Sequence, residues 1–127
     1  MSDIAIRYIV DDVDKAITFY TQFLDFKLEM HPAPSFAILS LGNLRLLLSA
    51  PGEEGGGGRS MTDGTKPEPG GWNRFHLPVE NLSLVVEKLK KQGAHFRGGI
   101  IEGVSGCQIL LEDPSGNPIE LFEYYKK

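Results

Sequence analysis

The feature that most constrains this chain is that it is written twice. Ile4 to Val10 (IAIRYIV) has the β-branched composition of a strand, and Asp11 and Asp12 follow it, either of which suits a helix N-cap. Val13, Ala16, Ile17 and Tyr20 then recur at i, i+3, i+4 and i+7, the period of one helical face. A shift of 69 positions, from Val13 to Leu82, lays Leu82, Val85, Val86 and Leu89 on those four positions without a gap. The same shift sets Val79 on Val10 and Glu80-Asn81 on the two aspartates. Asn81 predicts a cap, and Gly93 is placed to end the second helix.

The remainder of each half corresponds more loosely. Phe26–Met30, Phe36–Leu41 and Leu44–Ala50 read as strands, with Phe96–Ile100, Gln108–Glu112 and Ile119–Tyr124 as their counterparts. A Gly-Asn pair precedes the last strand of each half, Gly42-Asn43 and Gly116-Asn117, a common turn dipeptide. Each half is therefore βαβββ, and the expected class is α+β with two tandem modules. Module one covers about residues 4–50 and module two about 72–125, together one domain over 1–127. Residues 51–71 join them and are dominated by Gly and Pro, a composition that makes no core of its own and suits either a tether or a loop that closes over a ligand.

Net charge is -4, which argues against a nucleic-acid partner, because phosphate binding needs a basic face. The one cysteine, Cys107, has no partner for an internal disulfide and no His or Cys at zinc-binding spacing. The first residues, Met1-Ser2-Asp3, lead straight into the strand-like run with no basic-then-apolar leader, and no apolar run reaches membrane-spanning length. A cytoplasmic protein with no membrane partner is the expectation.

Three local motifs carry a resemblance. VDDVDKAITFYTQFLDFKL has an acidic turn, an aromatic Phe-Tyr pair and an exit in which Asp25 stands where Gly is common. DPSGNPIELFEY has the form of a closing turn and last strand, and PEPGGWNRFHL that of the entry into module two. With the double βαβββ pattern, these resemble the vicinal-oxygen-chelate superfamily of glyoxalases, bleomycin-resistance proteins and extradiol dioxygenases, over nearly the whole chain. The resemblance implies a curved mixed sheet forming a cup, often completed across a homodimer. In the metal enzymes of that superfamily, His, Glu or Gln at matching strand positions hold a divalent ion that acts as Lewis acid and template.

Carried over by position, the resemblance gives Ala5, Leu46, Arg74 and Glu120 as the ligand set. Ala and Leu have no donor atom and Arg has no lone pair to give, whereas a catalytic metal normally has three protein ligands. No cofactor is expected on this reading. Were a divalent metal held, Glu120 and His76 would be its ligands; His31 and His95 read as surface residues.

The face expected to line the cup supplies the candidate ligand-binding residues Arg7, Leu46, Leu48, Arg74, His76, Glu120 and Phe122, with Phe36 and Trp72 within reach from neighbouring segments. Such an apolar lining with a few polar groups suits an apolar or aromatic small molecule. No nucleophile with a nearby base is evident, and the Gly run lacks the Gly-Lys-Ser/Thr ending of a phosphate loop. The leading expectation is a metal-free binding protein like the drug-sequestering members. A metal enzyme of the glyoxalase, epimerase or dioxygenase kind with an atypical ligand set is the alternative, and an accessory subunit that pairs through its sheet is the third.

Overall fold

The computed structural model describes residues 4–53 and 55–126; the N-terminal leader reading rests on residues 1–3 and lies outside them. The chain divides into two compact units, Met1–Gly70 and Gly71–Lys127. Each is a βαβββ module, and their elements run in the order the repeat predicts.

In the first unit β1 (Ala5–Ile9) leads to α1 (Val13–Leu24), then to β2 (Lys27–Ala33), β3 (Phe36–Leu41) and β4 (Leu44–Ser49). The sheet order is β1-β4-β3-β2, with β1 parallel to β4 and the other pairs antiparallel. Of the two aspartates ahead of α1, Asp12 is the cap: its carboxylate accepts from the Lys15 amide at 3.0 Å. The helix buries Val13, Ala16, Phe19 and Tyr20. It ends on Asp25 at φ 61°, the left-handed region, where its N–H donates to the Tyr20 carbonyl. That conformation explains why glycine suits this position, and why an aspartate can stand there at some cost.

The second unit repeats this with β5 (His76–Pro78), α2 (Leu82–Lys91), β6 (His95–Glu102), β7 (Gly106–Glu112) and β8 (Pro118–Tyr124), in sheet order β5-β8-β7-β6. Asn81 caps α2 through its side chain to the Leu84 amide, and Gly93 follows the helix end at φ 89°. The turn into β8 is held by Asp113, buried at 4% exposure, whose Oδ1 accepts the Ser115 and Asn117 amides at 2.8 and 2.9 Å. A buried carboxylate is stable only with such donors around it.

The ladders fix which side chains share a face. Tyr8 pairs with Leu48 and Ile6 with Leu46, while Arg7 pairs with Leu47 and Ile9 with Ser49. Leu46, Leu48, Ala37 and Leu39 are fully buried and form the core of the first unit with α1. The expectation that Leu46 and Leu48 share a face with Arg7 is therefore corrected: Arg45, Leu47 and Ser49 do. The cause lies in the turns. Gly42-Asn43 is the whole of its hairpin turn, closing directly on the Leu41–Leu44 pair. Gly116-Asn117 instead ends a longer turn that closes on the Glu112–Pro118 pair. Counting both last strands from the Gly-Asn pair misplaces one of them by one residue, and one residue reverses every side chain in a strand.

The described residues of 51–71 form neither helix nor strand, yet the Gly run is packed rather than free. Arg7 Nε donates to Ser49 Oγ at 3.1 Å, and the Ser49 hydroxyl donates to the Gly56 carbonyl. A Cβ on Gly57 would overlap the Arg7 guanidinium, and one on Gly58 the Ala50 carbonyl oxygen. The run thus crosses the open face of the first sheet at a distance that only glycine allows. No helix among the described residues is long and apolar enough to cross a membrane.

Candidate ligand-binding site

The open face of the second sheet gathers four of the sequence candidates. His76 pairs with Glu120 and Pro78 with Phe122 in the β5–β8 ladder, so His76, Glu120 and Phe122 project together. Arg74, just before β5, reaches the same carboxylate: its Nε lies 3.0 Å and its Nη2 2.9 Å from Glu120 Oε1. Both guanidinium contacts fall on one oxygen, and the other, Oε2, faces His76 Nε2 at 3.7 Å. That distance is an electrostatic approach and too long for a hydrogen bond. The His76 ring packs against Phe122 (centroids 5.1 Å apart), and Phe122 against Tyr124 (4.7 Å), an aromatic row along the β8 edge of the site.

Trp72 stands beside this group. Its carbonyl accepts from Arg74 Nη1 at 3.2 Å, and the residue is 68% exposed. The Arg97 guanidinium lies over that ring, 4.5 Å from the centroid. Arg97 is itself held from three sides: Nε donates to Glu112 Oε2 at 2.8 Å, Nη1 to the Gly71 carbonyl at 2.7 Å and Nη2 to the Gly116 carbonyl at 2.9 Å. It ties the end of the joining loop to the closing turn and presents Trp72. Sequence reasoning missed Arg97. Its alternation with Phe96 and its place opposite Leu110 carry the signal only once the β6–β7 register is known. Gln108 and Leu110, on the same face of β7, were missed for the same reason.

A hollow of about 390 Å³ opens in this unit, bordered by Trp72, Arg74 and Arg97 and floored by Gln108 and Leu110. Each arginine is matched by its own carboxylate, so the surroundings are close to charge-neutral despite two cations.

Arg7 and Phe36 belong to the first unit. Arg7 is bonded to Ser49 and covered by Gly57, and Phe36 is half-buried under Gly56, where a Cβ would lie 2.8 Å from its own. Leu46 and Leu48 are core, as described above. His31 and His95 are exposed, as expected of surface residues.

A family model described as Glyoxalase/Bleomycin resistance protein/Dioxygenase superfamily matches residues 4–121. The chain belongs to this superfamily. Solved members share its fold. An antibiotic binding protein, TnmS3 from Streptomyces sp. CB03234, superposes with a TM-score of 0.71 at 20% identity, covering 98% of this chain and 97% of its own. TioX from Micromonospora sp. ML1 gives 0.74 at 16% identity, covering 98% and 100%. A lactoylglutathione lyase from Agrobacterium tumefaciens gives 0.69 at 16% identity, covering 96% and 92%. No curated protein sequence matches the chain. At these identities the likeness is one of fold, and both binding proteins and enzymes share it.

Superfamily membership gives the strand register a chemical meaning. Arg7 pairs with Leu47 as His76 pairs with Glu120, so the first-unit counterpart of Glu120 is Leu47, where counting from the turn gives Leu46. The register thus moves the set that the resemblance marks as ligand positions to Ala5, Leu47, Arg74 and Glu120. Leu47 offers no more donor than Leu46. In the second unit the two residues are bonded to each other, so the one carboxylate of the set is already engaged by the Arg74 guanidinium. Among the described residues no three His, Cys, Asp or Glu side chains converge as a metal site. This donor set does not fit a divalent cation.

Proposed function

We propose that this superfamily member binds an apolar or aromatic small molecule without a metal and without transforming it. The observation that carries the reading is the Arg74–Glu120 ion pair at the two second-unit ligand positions. A fixed guanidinium supplies the positive charge that an ion supplies elsewhere, but it has no open coordination position at which to activate a substrate oxygen. The exposed Trp72 ring and the neutral hollow beside it supply aromatic contact and polar anchors, the usual makeup of a small-molecule site. TnmS3, of the same fold, is described as antibiotic binding, which supports a sequestering role. A homodimer and a cytoplasmic location belong to the same proposal.

A thermal-shift screen of aromatic compounds in the presence of a chelator tests this reading. It expects stabilising hits that mass spectrometry recovers chemically unchanged; conversion of a bound compound contradicts it. The competing reading is a metal-dependent enzyme using His76 and Glu120, favoured by the 3.7 Å approach of His76 Nε2 to Glu120 Oε2. It expects turnover that the chelator abolishes and that His76→Ala removes.

A further inference from the structure

We infer that the hollow in the second unit is a subsite for a planar bicyclic aromatic acid, kept open by Gly99. The inference rests on the binding-protein reading and names the ligand class of that site.

The edge strand β6 departs from its register at this point. Arg97 pairs with Leu110 and Ile101 with Gln108, so residues 98–100 stand opposite Ile109 alone. Bulges of this kind bend an edge strand and re-aim its side chains, often beside a binding site. Gly98 has φ +80° and is glycine by conformational need. Gly99 has no such need: its φ lies outside the left-handed range, and a Cβ there would meet nothing within 4 Å. Neither backbone nor crowding demands glycine at 99. Gly99 lines the hollow and puts no side chain into it.

Size and chemistry then select the occupant. A volume of about 390 Å³ is near the lower end of ligand pockets, suited to two fused rings rather than an extended polycycle. Trp72 provides a stacking surface already ordered by Arg97. Arg74 spends three of its five N–H donors, two on Glu120 and one on the Trp72 carbonyl, which leaves two for a ligand. Since Glu120 already balances the Arg74 charge, a single carboxylate is favoured modestly and a polyanion is not.

The test uses the intact chain and three probes: 2-naphthoate, its neutral analogue 2-naphthamide, and the non-planar cyclohexanecarboxylate. Affinities are read by calorimetry and location by the indole N–H resonance, which is unambiguous because the chain has one tryptophan. The expected result is 2-naphthoate binding about tenfold more tightly than 2-naphthamide, as charge-assisted hydrogen bonds give, with cyclohexanecarboxylate weaker still and the Trp72 resonance shifted. Gly99→Leu should abolish binding while leaving the melting temperature unchanged. Arg74→Gln should weaken acid binding more than amide binding and so erase the preference for acid, which a general loss of fold would not do. Equal affinity for acid and amide, failure of all three probes, or a Gly99→Leu variant that binds like the parent overturns the inference. A stoichiometric metal retained by the protein would instead overturn the binding-protein reading beneath it, whatever the probes do.

Discussion

Arg74 and Glu120 meet through two guanidinium nitrogens on a single carboxylate oxygen, Nε at 3.0 Å and Nη2 at 2.9 Å, across 46 residues of sequence. The pair ties the segment ahead of β5 to β8. Both side chains are mostly but not fully buried, so their coupling should be about 1 kcal/mol, above that of an exposed pair and below that of a buried one. A double-mutant cycle with Arg74→Met and Glu120→Gln, followed by urea unfolding, checks this: each single change should destabilise, and the double change should cost less than the sum.

The corrected face of β4 gives a sharp contrast between neighbours. Leu46→Ala and Leu48→Ala should each lose about 2–5 kcal/mol, because both side chains are fully buried against α1 and β3. Leu47→Gln, on the opposite face, should cost less than about 1 kcal/mol. Denaturant midpoints of the three variants decide it; a Leu47 variant as damaged as the other two would contradict the register.

The Gly run should behave as packed structure. Gly58→Ala drives a methyl into the Ala50 carbonyl oxygen, a backbone atom that cannot step aside, and should cost about 1–3 kcal/mol. Ser49→Ala removes the hydroxyl that joins Arg7 to the Gly56 carbonyl and should cost about 1 kcal/mol. Hydrogen exchange at the Gly52 amide, which donates to the Gly58 carbonyl, should rise in both variants. Unchanged exchange would mean that the run is a tether.

Most of this fold can be read in the sequence because the two helices carry the same apolar spacing 69 residues apart, and Asp12 and Asn81 cap them as side-chain chemistry requires. Asp25 and Gly93, the helix-ending positions, were legible as well, the former as a departure from glycine. The site was legible only in part. Arg74, His76, Glu120 and Phe122 share a face because a strand alternates strictly from a known start. Leu46 and Leu48 were misassigned because alternation from a wrong start is wrong at every residue, and the start depends on turn length. Arg97 and Gly99 could not be recognised, since their importance comes from a bulge in pairing that leaves no mark in composition. The packing of the Gly run on Arg7 and Phe36 was equally hidden: glycine richness suits a mobile tether and a close approach alike.

Cys107 should be a poor nucleophile. Burial, then the carboxylates of Glu123 and Glu102, raise its thiol above the ordinary range. A raised value means less thiolate at any given pH than in a free cysteine. Iodoacetamide labelling of the folded protein should be slower at mildly alkaline pH than in urea. Fast labelling at neutral pH would contradict the assigned environment.

In the proposed binding reading, the Arg74 guanidinium takes the place of a bound metal. Elemental mass spectrometry of the protein after incubation with nickel, zinc, manganese and iron(II), and removal of the excess, tests it most directly. The account predicts no stoichiometric metal of any kind. About one tightly held ion per chain, lost on His76→Ala or Glu120→Gln, would contradict it.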